Sequence, residues 1–380
     1  MTLIEKGDPA VSTSPCDPRA VHTERGHGRA ATAPRGTLTR VSIDTAPAFP
    51  TGMSDLLQAR LIFQACAFTR ADALELGCTD SQLRTWCRSG ELRTPGYGAY
   101  YLPAPAGAHP PGPPTDVAVG DEFSVEREEA VRRIRSIVLT MDESVIVTHE
   151  SALLLRGLPV WAAAHSTVVH LSQHGSRKRT RRRGVSRHVA PLELTTSLIG
   201  NVRVASPAWA VAQTCCTLGI ESTVVAADAA LRSGVLDPKH LLTVCTALIG
   251  TRGSAPLTSL LRLVDGRSES PGESRLRLLL DGAGFDVTPQ RVIHDESGHF
   301  VARVDLAVDN SRVLIEFDGM LKYRGAANEG ALVAEKRREL TLIRLGYTVV
   351  RITWGDLDHP GRVLSLLRTA LGNDKGHIFR

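Results

Sequence analysis

Apolar and polar residues alternate through VARVDLAVDNSRVLIEFDG, residues 301 to 319, with a break at Asn310 and Ser311. Alternation of period two predicts strands, and a two-residue break between them predicts a hairpin. In that register 308 faces 313, 306 faces 315, 304 faces 317 and 305 faces 316. One face then carries Val304, Leu306, Val308, Val313, Ile315 and Phe317, and the other Arg303, Asp305, Ala307, Leu314, Glu316 and Asp318. Asp305 and Glu316 become opposed neighbours, with Cβ atoms about 4.5–5.5 Å apart and a repulsion to offset. A divalent cation offsets it, since Mg²⁺ is held by one or two carboxylates together with water and phosphate oxygens. A raised pKa on one carboxyl is the other solution. The plainer alternative is a solvated face whose two acids point apart into water.

The pattern upstream is helical. SDLLQARLIFQACA is an apolar helical run with Ser54 as N-cap, Thr69 caps RADALELG, which Gly77 stops, and Thr79 or Asp80 caps DSQLRTWCRSG, stopped by Gly90. ELRTPGYGAYYL then reads as two short strands around Pro95 and Gly96. Helix, turn, helix and ribbon is the order of a winged helix-turn-helix, expected over 53–102. Its third helix would offer Ser81, Gln82, Arg84, Thr85 and Arg88 to the major groove, with Arg93 and Tyr97 on the wing. The alternative is a protein-binding helical domain on which Arg84 and Arg88 form an exposed i, i+4 face.

Beyond a proline-rich linker at 103–118, VEREEAVRRIRSIVLTM and THESALLLRGLP predict two helices, the second capped by Thr148. TVVHLS and VSRHVAP predict strands flanking a basic loop made of Arg177, Lys178, Arg179, Arg181, Arg182 and Arg183. Such a run neutralises phosphates and gives salt-dependent affinity without sequence preference; the alternative is a solvated hairpin tip. Ser206 and Pro207 open a further helix, and two more follow near 221–233 and 239–249, completing a mixed α/β middle domain over 119–250. His149, His165, His170, His174 and His188 are scattered through it and read as structural.

After a second linker at 251–269, Ser270, Pro271 and Glu273 form the N-cap, first residue and N3 of a capping box. The helix they open ends near Gly282 to Gly284. Past the hairpin, a charged amphipathic helix over about 330–345 is stopped by Gly346, YTVVRITW is a buried strand, and Asp358 and Pro360 open a closing helix to Leu371. The sum is an α/β unit over 270–372, followed by a tail at 373–380.

Composition bounds this picture without redirecting it. A chain of 380 residues with 42% apolar content has room for two or three domains, and a net charge of +5 settles nothing about nucleic acid. Seven cysteines without a CxxC pair read as reduced thiols of a cytoplasmic protein. Residues 1–52, rich in Pro, Thr, Ser, Gly and Arg, predict a disordered tail. With no apolar leader and no long apolar run, neither export by a signal peptide nor a membrane span is expected.

SPGESRLR, ARVDLA, the strand end IEFDG, the helix EKRREL and LGYTVVRITW together resemble the very-short-patch-repair-like branch of the PD-(D/E)XK nuclease superfamily. Residues 54–102 resemble the winged-helix domain of AbiEi-type antitoxins of type IV toxin–antitoxin systems, and the middle segment is similar to the domain that follows it there. The resemblance implies a restriction-endonuclease-like C-terminal domain that hydrolyses phosphodiester bonds with Mg²⁺ or Mn²⁺. Asp305 would be the main metal ligand, Glu316 the second acid and Glu273 a supporting carboxylate. Asp318 stands where the family has lysine and joins the metal set, so Lys322 or Lys336 would supply the missing positive charge. Double-stranded DNA is the implied partner. The second implication is a transcriptional regulator or antitoxin whose nuclease fold is inactive and whose further partner is a cognate toxin.

Overall fold

The computed structural model describes residues 48–104, 124–161, 167–176, 178–319 and 329–374, which form three sheets with their attendant helices. The first group runs α1 (Asp55–Phe63), β1 (Ala67–Thr69), α2 (Arg70–Glu75), α3 (Asp80–Ser89), β2 (Arg93–Gly96) and β3 (Ala99–Tyr101), with sheet order β1-β3-β2. The expected caps hold: Ser54 Oγ accepts from Leu57 N, and Thr69 and Thr79 form reciprocal boxes with Asp72 and Gln82. Leu57, Leu61, Phe68, Leu83, Trp86 and Leu92 fill the core. Trp86 Nε1 donates to Thr51 O at 3.2 Å, so the described end of the segment read as a tail packs on α3. Residues 1–47 lie outside the described residues.

The second group comprises α4 (Ser124–Val138), β4 (Ile146–Val147), α5 (His149–Leu155), β5 (Val169–Gln173), β6 (Thr180–Arg182), β7 (Val185–Val189), β8 (Thr196–Ile199), β9 (Val202–Ala205), α6 (Pro207–Leu218), α7 (Ile220–Arg232), α8 (Pro238–Leu248) and α9 (Leu257–Leu263). Its sheet order is β6-β7-β5-β4-β9-β8. Two expectations are corrected here. The basic run is an edge strand, β6, paired antiparallel with β7 through a turn in which Arg183 and Gly184 both have positive φ, at 47° and 73°. Segment 251–269 is more than a linker, because α9 buries Leu257, Leu260 and Leu263 against the middle core. Its period was hidden by the glycine and proline residues before it. Of the proline-rich linker, residues 105–118 lie outside the described residues.

The third group runs α10 (Pro271–Gly282), β10 (Val287–His294), β11 (Phe300–Val308), β12 (Val313–Asp318), α11 (Glu329–Arg344), β13 (Thr348–Thr353), α12 (Trp354–Leu357) and α13 (Pro360–Asp374). The sheet order is β10-β11-β12-β13, with β12 and β13 parallel and the other pairs antiparallel. The hairpin pairs Leu306 with Ile315 and Ala307 with Leu314 as expected, but the ladder does not include the expected 305–316 and 304–317 pairs, and Val304 packs with Ala307 and Leu314 rather than with Leu306 and Phe317. Strand β10 was not anticipated. Leu306, Val308, Val313, Ile315 and Phe317 pack on Leu276 and Leu280 of α10 and on Val363 and Leu367 of α13. The opposite face is covered too, since Ala307 and Leu314 lie against Leu342 of α11. Among the described residues no helix is long and apolar enough to cross a membrane.

Helix α10 is held from both sides. Asp228 of α7, fully buried, accepts from Asp265 N, Ser274 Oγ and Arg277 Nη2, all within 2.7–2.8 Å. Toward the sheet, Gly272 lies flat against the Phe317 ring, where a Cβ would overlap it. Gly272→Ala is therefore expected to lower folding stability by about 1–3 kcal/mol, as overpacking of a filled core does. Denaturant unfolding checks this, and the Gly272→Ala, Phe317→Leu double variant is expected to recover part of the loss.

Candidate functional site

The first turn of α10 aims Glu273 at the sheet. Ser270 Oγ accepts from Glu273 N at 3.2 Å, and Glu273 Oε2 accepts from Glu269 N and from Gln290 Nε2, each at 2.9 Å. The reciprocal half of the expected capping box thus lands one residue upstream of the cap, on Glu269. Gln290 adopts φ 53° within β10, a conformation that L residues hold only when the surroundings enforce it. Pro289 pairs with Leu306 and Arg291 with Val304, while Gln290 and Asp305 between them do not pair. On the other side the β11–β12 ladder ends at Leu306 and Ile315. Asp305 therefore sits where the backbone ladder opens on both edges, and its Oδ2 accepts from Phe317 N at 2.8 Å.

Burial, then the neighbouring Asp305, pushes the Glu273 carboxyl up to about 7. Burial also raises Glu316, against the opposing pull of Arg338. Glu316 Oε1 lies 2.7 Å from Arg338 Nη2 and its Oε2 lies 3.9 Å from Arg351 Nε. These two arginines reach on to Glu335 and Glu339, closing a network across α11 and β13. The repulsion foreseen between Asp305 and Glu316 is thus met by guanidinium groups as well as by a raised pKa. Among the described residues the cations beside Glu316 are Arg338 and Arg351. Lys336 is exposed, about 200° around α11 from Arg338, and pairs with none of these acids. Lys322 lies outside the described residues. Asp318, half-buried, ends β12 opposite Thr353.

On α3, Ser81, Arg84, Thr85 and Arg88 are exposed. Gln82 is not available in the same way, because its Oε1 accepts from Thr79 N and Oγ1 at 2.9 and 3.0 Å. Arg93 is exposed on β2. Tyr97, at φ 60° in the β2–β3 turn, donates from its hydroxyl to Arg182 O at 2.7 Å and so joins that turn to β6. Lys178, Arg179, Arg181, Arg182 and Arg183 are all exposed there, and Arg177 lies outside the described residues.

The histidines read as scattered are the group that the fold collects. His149, His170 and His188 bring one ring nitrogen each within 4.8 Å of one another, whereas the carboxylates above form no such group among the described residues. Spacing along the chain carries no sign of this, because the three side chains come from the start of α5 and from two neighbouring parallel strands, β5 and β7.

No protein-family model matches the chain. It is 31% identical over 160 residues to two uncharacterised proteins of Mycobacterium tuberculosis, MT2308 of strain CDC 1551 and Rv2248 of strain H37Rv. The match covers 42% of this chain and 58% of each relative.

A carboxyl raised from 4.5 to about 7 keeps in the folded state a proton that the unfolded chain has lost, so its contribution to stability falls as pH rises through that window. Glu273→Gln removes this dependence. Relative to wild type, the variant is expected to differ little near pH 4.5 and to gain stability toward pH 7 and above, by up to roughly 3 kcal/mol. Urea unfolding of both proteins across that range checks the sign.

Proposed function

We propose that the chain is a DNA-binding protein whose C-terminal α/β group is a metal-dependent endonuclease-like centre acting on phosphodiester bonds. The observation that carries this reading is Asp305, held in an opened ladder with Glu273 and Glu316 beside it. Hard carboxylate oxygens suit Mg²⁺ or Mn²⁺, and Asp305 and Glu316 are the residues that would hold the ion. When bound, the ion polarises the phosphodiester and lowers the pKa of its water. Glu273, buried and hydrogen-bonded to Gln290, fixes the electrostatic environment of Asp305. Arg338 balances Glu316 and, turned toward substrate, stabilises charge developing on phosphate oxygens.

The helix–strand–helix–helix–strand–strand order of residues 53–102 fits a winged helix-turn-helix, with α3 as the groove-reading helix. Arg84, Thr85 and Arg88 offer base and phosphate contacts, and Arg93 with the β6 arginines offers backbone contacts. The wing-to-β6 contact at Tyr97 favours one binding surface built from both. A regulator or antitoxin with an inactive nuclease fold is the second reading. It is favoured by the engagement of Glu316 with Arg338 and Arg351.

Under the first reading, the full-length chain nicks supercoiled plasmid with Mg²⁺ or Mn²⁺. Asp305→Asn, Glu316→Gln and Arg338→Ala then abolish or greatly slow nicking, and Lys336→Ala leaves it nearly unchanged. Retained duplex binding without cleavage selects the regulator. In either case Arg84→Ala and Arg88→Ala are expected to weaken duplex binding and to flatten its log–log salt slope by about 1 for each phosphate no longer neutralised.

A further inference from the structure

We propose that His149, His170 and His188 form a binding site for a zinc-class divalent cation, separate from the carboxylate centre and not anticipated by any motif in the chain. The rings of His170 on β5 and His188 on β7 are 5.0 Å apart between centroids with 23° between their planes, and a hydrogen bond of 2.9 Å joins His170 Nδ1 and His188 Nε2. The His149 ring stacks on His188 at 4.1 Å between centroids and lies 4.8 Å from His170. His149 and His170 are buried.

Two of the three ligands, His170 and His149, have an outer hydrogen-bond partner, as is usual around a histidine-bound metal. His170 Nε2 lies 3.1 Å from Glu150 Oε1, leaving Nδ1 facing His188. His149 Nδ1 lies 3.0 Å from Thr148 Oγ1, itself 3.1 Å from Ser172 Oγ, leaving Nε2 for the ion. Thr148, expected to cap α5, makes no side-chain cap bond and serves this ring instead. His149 is held at φ 55°, a strained conformation for a residue with a side chain.

Two orphaned polar atoms mark the same place. Glu150 is almost wholly buried and its Oε2 has no hydrogen-bond partner, and Ser186 Oγ, at the register position opposite His170, has none either. Burying such groups without partners is costly, and a bound ion with its remaining ligand accounts for them. A tetrahedral ion at about 2.0–2.1 Å from each nitrogen sets the nitrogens roughly 3.3 Å apart, so His170 and His188, now 2.9 Å apart, part by a few tenths of an ångström, while the widest pair, within 4.8 Å, closes by about 1.5 Å. Three imidazole nitrogens favour Zn²⁺ and its neighbours over Mg²⁺. Three protein ligands leave a fourth position open, and Arg179 beside the rings favours an anionic or water ligand there.

The test uses the full-length chain with any affinity tag removed. The expected results are stoichiometric zinc by elemental analysis and, after chelation and addition of Co²⁺, the intense visible bands of tetrahedral cobalt. The bands are expected to persist in the Asp305→Asn, Glu316→Gln double variant and to vanish in His188→Ala, whose ring is the least buried of the three. Glu150→Gln, which leaves the ligands intact, is expected to weaken cobalt affinity about 10–100-fold. Absence of both zinc and cobalt bands in the wild-type chain overturns the proposal whatever the variants do. Bands that survive in a folded His188→Ala protein overturn it too.

Discussion

Helix α10 is held from two sides, and the C-terminal centre depends on it. One side is anchored by Asp228, a buried carboxylate that three donors satisfy. Removing one partner of such a pair leaves an uncompensated charge in low dielectric, which is why buried pairs fix geometry more than they add net stability. The other side is set by contact, because Gly272 lets the helix touch Phe317 directly. The residue after that glycine is Glu273. Its place beside Asp305 follows from the two constraints together.

The same physical problem, charge or dipole removed from water, recurs across the molecule with different solutions. Around Glu316 it is met by arginines, with Arg338 and Arg351 shared among three acids. Around Glu273 it is met by neutral donors and by a raised pKa. Around the three histidines it is met by neutral rings and a hydrogen-bond chain that ends on one unpartnered carboxylate oxygen. Of these three places, the histidine group is the one among the described residues that leaves buried side-chain oxygens without a partner. That distinction, rather than residue type, separates the two sites.

The basic surface has a similar logic. An edge strand of arginines resists pairing with a second sheet, so β6 has a structural reason for its charge apart from any phosphate. Its contact with Tyr97 places the β2–β3 turn beside it. Two basic segments that lie far apart in the chain thereby become neighbours.

Local pattern sufficed for much of this chain. Capping residues located α2, α3 and α10 within a residue or two, and period-two alternation determined the β11–β12 register and the burial of Leu306, Val308, Val313, Ile315 and Phe317. The nearness of Asp305 to Glu316 was legible for the same reason, since a hairpin brings together residues that are close in sequence, although the two are not ladder partners. Strand β10, helix α9, the arginine at Glu316 and the meeting of His149, His170 and His188 were not. These depend on which strands become neighbours in a sheet and which helix covers them, and that is decided by burial summed over the whole chain. Short-range chemistry therefore determined the elements and the hairpin acids, while tertiary packing alone chose the partners that neutralise them and assembled the histidine cluster.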